Sequence, residues 1–378
     1  MRENLRVMIS GGGTGGHIYP ALAIAEAVRA KYTRAQVVYV GNADGMEHKL
    51  AAEAGYKFVP ISVAGMTSKN PLRVLQVLAK NAAGVRQAKR AIKDFMPDLV
   101  VGTGGYACGP LLLAAAELKI PTLLHEQNAV MGKTNHILSG KVSKLCLTFP
   151  IKALPAEAAR HAELTGLPVR QAILQADKQV GRLNLGLAAD KPVLLLTGGS
   201  QGARHLNMAL AELWQELLAA DVQVVHLCGE KLFAETAELA KKAGLPVDFA
   251  DNKAKGGFLL LPYLHHMEWA MSAADVVVGR AGASFLAELA TIGRAAVLVP
   301  YPFAAGNHQA YNAAAFVEAG AALLIEDDKL SGGTLRAALQ KTLFDIELNR
   351  QMAANCAALG HKDAAAAILA AAEKIMRK

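Results

Sequence analysis

The stretch that decides the fold stands near the start of the chain. Leu5-Arg6-Val7-Met8-Ile9-Ser10 runs directly into Gly11-Gly12-Gly13-Thr14-Gly15-Gly16-His17. The first part is a short, largely apolar run and reads as a buried strand; the glycines after it read as a tight turn into a helix. From Tyr19 to Ala30 apolar residues recur at helical spacing, completing a strand, glycine loop and helix. The arrangement returns twice. Gly102-Thr103-Gly104-Gly105-Tyr106 ends the strand candidate Leu99–Gly102, and Gly198-Gly199-Ser200-Gln201-Gly202-Ala203-Arg204 follows the candidate Val193–Thr197.

Working outward, short apolar runs alternate with helical patterns along the whole chain. In the first half the further strand candidates are Gln36–Val40, Pro121–His125 and Lys144–Thr148, and the further helices Met46–Ala54, Pro71–Phe95 and Pro110–Leu118. In the second half the further strands are Val222–Leu227, Gly257–Leu261, Val276–Val278 and Ala296–Val299. Such alternation implies parallel sheets covered on both faces, an α/β fold of two Rossmann-like doubly wound domains. Ligands are then expected beyond the C-terminal strand ends, in a cleft between the domains. Gly166 and Pro168 interrupt the pattern, so the expected division is 1–166, 167–361 and a final Ala-rich helix over 362–378. Gln171–Gly186 reads as one helical connection.

At about 150 residues per domain, 378 residues accommodate two domains of ordinary size. With 53% hydrophobic and 19% charged residues the composition excludes a disordered chain. Cys108, Cys146, Cys228 and Cys356 form no C-x-x-C pair and suit a reducing compartment. No leader pattern is seen at Met1–Arg6. The uncharged run Leu99–Ala116 contains Gly102, Gly104, Gly105, Gly109 and Pro110 and reads as strand, loop and helix rather than as a membrane span.

The net charge of +8 is local. Lys69, Arg73, Lys80, Arg86, Lys89, Arg90 and Lys93 fall in one stretch that holds no acidic residue. Without them, basic and acidic residues nearly balance. Aromatic residues are 5% of the chain and none interrupts this stretch, which argues against nucleic acid. Leu72, Val74, Leu75, Val77 and Leu78 are interleaved with the cations, so the stretch reads as a solvated helix face or as a face for an anionic membrane surface.

Glycine allows positive φ and close backbone approach, and a helix N-terminus presents free N–H groups to an anion. One such loop is as readily a tight turn; three at equivalent places favour phosphate binding. Gly11, Gly13 and Gly16 also satisfy G-x-G-x-x-G, with Asp44 as a ribose acid, which keeps a dinucleotide oxidoreductase open. Gly16 to Asp44 is, however, longer than the usual spacing of about 20 residues. No H-E-x-x-H, Cys/His cluster or D-x-D triplet stands out, and His265 and His266, read as neighbours on a helix, point apart; no metal is expected.

Six ordered segments carry a resemblance. They are Gly12–His17, Gly102–Pro110, His125-Glu126-Gln127-Asn128, Gly198–Arg204, Arg280–Leu289 and Asn307–Ala313. Together they closely resemble the MurG family, bacterial transferases that move N-acetylglucosamine (GlcNAc) from UDP-GlcNAc onto lipid I in peptidoglycan synthesis. The resemblance spans about residues 5 to 320. It implies a GT-B fold, with acceptor and membrane on the first domain, UDP-sugar on the second, and the closing helix packed back on the first. It further implies inversion without a metal or other cofactor, and a peripheral place on the cytoplasmic face of the inner membrane. The partners it implies are UDP-GlcNAc, undecaprenyl-linked MurNAc-pentapeptide, and other cell-wall synthesis proteins.

The residue roles follow position by position. His17, beside the first loop, is the candidate base, with loop packing as its alternative. Glu126 is expected to support it or to bond loop amides, and His125, Gly104, Gly105 and Tyr106 are expected on the acceptor side. The resemblance assigns Thr14, Gly15, Gly16, Asn128, Arg170, Ser200, Leu264, Ala283, Ser284, Phe285, Leu286, Ala287, Glu288 and Gln309 to UDP-GlcNAc. Within that set Arg170 would reach phosphate, Leu264 would offer backbone to uracil, Glu288 would take the ribose hydroxyls, and Asn128 and Gln309 the sugar. Arg204 reads either as a diphosphate contact or as a surface arginine. The chain departs from the family pattern at Cys108, Ala281, Phe285 and Gly306.

Overall fold

The computed structural model describes residues 4–65, 70–151, 153–199 and 201–377. Ser200 and Lys69, both singled out from the sequence, lie outside them. The chain divides into two compact units, one of residues 1–169 with 361–378 and one of residues 170–360.

In the first unit seven parallel strands form one sheet. They are β1 (Arg6–Ser10), β2 (Gln36–Gly41), β3 (Lys57–Pro60), β4 (Leu99–Gly102), β5 (Thr122–Glu126), β6 (Lys144–Leu147) and β7 (Ala162–Leu164). Their order is β3-β2-β1-β4-β5-β6-β7. Alternation along β1 sends Val7 and Ile9 to one face and Met8 to the other, and both faces are buried. Helix α1 (Gly15–Lys31) covers the first face through Ile18, Ile24 and Val28. Ile368 and Ala372, from the helix Ala364–Met376, pack into the same layer. After α2 (Met46–Glu53), helices α3 (Pro71–Phe95) and α4 (Gly105–Glu117) close the other face through Ala88, Ile92, Leu111 and Leu112.

The second unit repeats the plan with β8 (Val193–Thr197), β9 (Gln223–Leu227), β10 (Phe258–Leu261), β11 (Val276–Gly279), β12 (Ala295–Leu298) and β13 (Ala322–Leu324). The order is β10-β9-β8-β11-β12-β13, again all parallel. Reading the strands in chain order, both sheets reverse direction between their first and fourth strands. That switch point is where such folds bind ligands. The first and second glycine loops follow β1 and β4; the third follows β8, and the helix Ala283–Ile292 follows β11.

Two readings change. Gln171–Gly186 is not one helix but two, Gln171–Leu174 and Lys178–Asn184. The Asp177 carboxylate accepts from the N–H groups of Gln179 and Val180, starting the second helix afresh. The strands β3, β7 and β13 were not anticipated. Among the described residues no helix is long and apolar enough to cross a membrane.

Candidate active site

In the first unit the two glycine loops interlock. A Cβ on Gly11 would lie 2.1 Å from Thr103 Oγ1, and one on Gly105 would lie 1.9 Å from the Gly12 carbonyl oxygen. Gly104 and Gly105 hold φ of 103° and 75°, the left-handed region that glycine alone enters freely. This closeness seats His17, the third residue of α1, against Thr103: the Thr103 hydroxyl donates to the His17 carbonyl at 2.7 Å. The His17 ring Nδ1 lies 3.1 Å from the Thr103 carbonyl oxygen and 2.9 Å from Gln127 Oε1. Thr14, Gly15 and Gly16 form the uncapped N-terminus of α1, where free N–H groups face outward. The Tyr106 ring lies over Gly13, whose Cβ would come within 2.8 Å of Cε1.

Behind this surface the H-E-Q-N segment at the end of β5 is almost wholly buried. His125 is enclosed, with Nε2 2.9 Å from the Gly166 carbonyl oxygen and Nδ1 3.0 Å from Gln127 Nε2. Burial pushes its pKa down to about 4. It therefore offers no atom to a glycosyl acceptor, and its ring meets Gln127, which is itself buried. The Glu126 carboxylate is turned to the following loop. It accepts from Asn128 N–H (3.0 Å), Asn128 Nδ2 (3.3 Å), Gly132 N–H (3.0 Å) and Asn135 Nδ2 (2.9 Å). Of the two sequence alternatives for Glu126, loop support is the one the geometry displays. Asn128 is positioned by that carboxylate.

The second unit holds a cavity of about 650 Å³ beside the third glycine loop. Gly198, Gly199, Gln201, Gly202, Arg204 and His205 line one side; Arg280, Gly282, Phe285 and Gln309 line another. Gly199 and Gly202 take φ of 79° and 76°, and a Cβ on Gly202 would lie 2.2 Å from the Cys228 carbonyl oxygen. Gly282 caps the helix Ala283–Ile292 without a side-chain bond, so the N–H groups of Ala283, Ser284 and Phe285 have no intrahelical acceptor. Leu286 is buried beneath them, and Ala287 and Glu288 complete the turn. Gln309 Oε1 accepts from Ala281 N–H (3.1 Å) and Tyr301 N–H (2.9 Å), which leaves its Nε2 as the group free to donate.

Arg170 and Glu288, assigned separately from the sequence, are joined. Arg170 Nε donates to Glu288 Oε1 at 2.8 Å and its terminal nitrogen to Oε2 at 3.1 Å, a bidentate fork. Arg204 instead reaches Glu235, at 2.9 Å from Nε to Oε1. Leu264 is buried, so its backbone is what it can present. His265 and His266 precede the helix Met267–Ala273 rather than lie on it; His266 stacks on Trp269. Among the described residues no group of three or more His, Cys, Asp or Glu could hold a metal ion.

Several site residues were missed. Gln127 stood inside the quoted H-E-Q-N, and Arg280 headed a quoted segment. Arg280 bonds the carbonyls of Val299 and Pro300, both at 3.1 Å, and meets Asp327 Oδ1 at 2.5 Å. The other Asp327 oxygen holds His205 Nδ1 at 2.8 Å. Nothing in the sequence links His205 to Asp327; the fold brings them together. Glu47, fully buried under the first loop, accepts from Asn42 N–H (3.2 Å) and Gly13 N–H (3.4 Å).

Two parallel-sheet units with glycine loops over their switch points, one holding a histidine and the other a cavity edged with cations, define a sugar-nucleotide transferase of the GT-B fold. The glycosyltransferase family 28 N-terminal domain matches residues 7–146, and the family 28 C-terminal domain matches residues 193–368. The chain belongs to the MurG family of UDP-N-acetylglucosamine–N-acetylmuramyl-(pentapeptide) pyrophosphoryl-undecaprenol N-acetylglucosamine transferases. The enzyme of that name from Desulforamulus reducens is 41% identical, over 98% of this chain and 99% of its own. That of Desulfitobacterium hafniense strain Y51 is 43% identical over 95% and 96%. The crystal structure of Acinetobacter baumannii MurG matches with a TM-score of 0.77 at 31% identity, over 99% of this chain and all of that one. The calicheamicin glycosyltransferase CalG4, at 16% identity and a TM-score of 0.66, shares the fold.

Proposed function

We propose that this chain moves GlcNAc from UDP-GlcNAc to the 4-hydroxyl of the MurNAc residue of lipid I, with inversion, giving lipid II. Identity above 40% to transferases of that name, over nearly the full length of both chains, carries the reading. His17 takes the proton of the acceptor hydroxyl while that oxygen attacks C1 of the donor sugar. The bond from C1 to the diphosphate breaks, and its electron pair leaves with UDP. The third glycine loop, the free N–H groups of Ala283–Phe285, and the Arg170 and Arg280 guanidinium groups oppose the charge gathering on that diphosphate. Glu288, steadied by Arg170, has lone pairs left for the ribose hydroxyls, and Gln309 Nε2 donates to the transferred sugar. Thr14, Gly15, Gly16 and Asn128 contribute contacts to UDP-GlcNAc from the first unit, and Tyr106 flanks the acceptor.

The enzyme sits on the cytoplasmic face of the membrane through α3. Leu72, Leu75 and Leu78 are exposed on the first half of this helix, while Gly84, Ala88 and Ile92 on the second half are buried. At 100° per residue the three leucines share an azimuth with Arg86, Arg90 and Lys93, opposite the buried stripe. The cationic stretch does have one neighbour of opposite charge, since Lys89 pairs with Glu117 of α4. Arg73, Lys80, Arg86 and Arg90 form no ion pair among the described residues. An apolar row flanked by free cations suits an anionic bilayer surface.

The test is UDP release from UDP-GlcNAc by purified protein with and without lipid I or a soluble analogue. Release that depends on the acceptor is expected; a folded sample that releases none refutes the reading. Thermal shift with UDP-GlcNAc, UDP-glucose and NADH separates this from a dinucleotide enzyme, with stabilisation by UDP-GlcNAc expected.

A further inference from the structure

The His17 ring is held by acceptors alone, and the chain of hydrogen bonds behind it leaves no freedom in where its proton sits. The argument starts from groups whose roles are fixed by chemistry. A carbonyl oxygen can only accept, so His125 Nε2, 2.9 Å from the Gly166 carbonyl, carries a proton. Gln127 Nε2 is 2.9 Å from the His125 carbonyl oxygen, so this end of the amide must be the nitrogen. The second hydrogen of that nitrogen points at His125 Nδ1, 3.0 Å away, which accepts it as the bare nitrogen of a neutral ring. With its nitrogen spent on His125, Gln127 turns Oε1 toward His17 Nδ1 at 2.9 Å. The Thr103 carbonyl oxygen meets the same atom at 3.1 Å. Two acceptors on Nδ1 require a proton there.

We propose that Gln127 is a positioning residue that, with the Thr103 carbonyl and the buried His125 behind it, locks neutral His17 as the Nδ1–H tautomer. The lone pair is thereby placed on Nε2. This deepens the reading of His17 as base and rests on it. A base needs a bare nitrogen toward the hydroxyl, and the opposite tautomer would present a hydrogen instead. When Nε2 takes the hydroxyl proton, the ring becomes an imidazolium and its charge is shared along Nδ1–H toward the Gln127 and Thr103 oxygens. Gln127 is suited to this because its amide both donates and accepts. It passes the fixed orientation of a buried histidine to an accessible one without carrying charge.

The experiment uses full-length protein labelled with [15N]histidine, its ring nitrogens observed by NMR with the ring in its neutral form. The His17 signals are identified by their loss in His17→Ala. Expected in the unaltered protein is a protonated Nδ1 and a bare Nε2. In Gln127→Leu the two signals move toward each other as the tautomers mix. The value of kcat falls about five- to tenfold, the share of one hydrogen bond, while KM for UDP-GlcNAc stays within about twofold. A protonated Nε2 in the unaltered protein overturns the proposal, as does a Gln127→Leu protein whose spectrum and kcat are unchanged. The unaltered protein's spectrum decides the matter even if a variant fails to fold. Full turnover by His17→Ala would refute the base reading separately, because the tautomer is read without any turnover.

Discussion

Replacing Leu72, Leu75 and Leu78 together by glutamine tests the membrane face at its most quantitative point. These side chains are 72%, 64% and 54% exposed, so together they leave in water roughly the surface of two free leucines. Full burial of a leucine contributes about 2 kcal/mol, and a bilayer interface recovers about half of that. The three then contribute about 2 kcal/mol to binding, or roughly 30-fold in partition coefficient. Arg86→Gln with Arg90→Gln removes about 1 kcal/mol per cation, and only against an anionic leaflet. The two variants therefore separate by condition in a vesicle sedimentation assay. The leucine variant loses binding to neutral phosphatidylcholine and to phosphatidylglycerol vesicles alike. The arginine variant loses it only on phosphatidylglycerol, and the difference vanishes near 1 M salt, where the Debye length falls to about 3 Å. Because more than half of each leucine is exposed, the melting temperature and turnover on a soluble acceptor stay close to their unaltered values. Partitioning of the leucine variant within about threefold of the unaltered protein would refute the assignment of this face.

Three further outcomes follow from the geometry. Gly105→Ala places a Cβ 1.9 Å from the Gly12 carbonyl oxygen at a φ of 75°, so the interlocked loops must part. A loss of about 2–4 kcal/mol in stability, measured by urea unfolding, and loss of turnover are expected. Arg170→Ala frees Glu288 from its fork and removes the cation proposed to face the diphosphate, which should raise KM for UDP-GlcNAc at least about tenfold; Arg170→Lys should recover little of it, since an ammonium cannot span both oxygens. His226, buried with its pKa pushed down to about 3, stays neutral in the folded chain but takes a proton when unfolded. The unfolded state therefore binds more protons between the two pKa values, and stability falls as pH drops from about 6.5 toward 3. His226→Gln should flatten that slope in pH-dependent melting of the second unit, and an unchanged slope would refute it.

What was legible in the sequence follows burial. Central strands such as Val193–Thr197 are apolar on both faces, and their bounds match those read from the sequence. The missed strands β3, β7 and β13 all lie at sheet edges, where one side is wet and short segments such as Lys57–Pro60 and Ala162–Leu164 carry charge. The helix break at Asp177 was hidden because apolar spacing continues across it, while the cap depends on one carboxylate. In the site, single residues beside glycine loops were visible, since glycine clusters have few other uses. The partnerships were not. His17 and Gln127 stand 110 positions apart and His205 and Asp327 stand 122 apart, so only the folded chain joins them. Gln127 was passed over for a chemical reason as well: an amide neither titrates nor attacks, and its work lies in orienting groups that do.

The repeated topology sharpens what each unit can bind. In both, a glycine loop follows the central strand at the switch point, so the backbone alone would make two equivalent anion sites. The side chains around the loops remove that equivalence. Under the first loop the buried Glu47 carboxyl has already taken the Gly13 N–H, and the histidine beside the loop has its Nδ1 committed to carbonyl oxygens. An acidic group beneath a loop opposes a diphosphate and tolerates a neutral, hydroxylated sugar. Around the third loop stand Arg204, His205 and Arg280, with Asp327 and Glu235 holding them in place. That surface suits an anion. On the proposed function, phosphate binding, which three similar loops made attractive for all of them, belongs to the second unit, and proton abstraction from a hydroxyl to the first. One fold, used twice, serves a transfer reaction because the two copies differ in charge beneath the same turn.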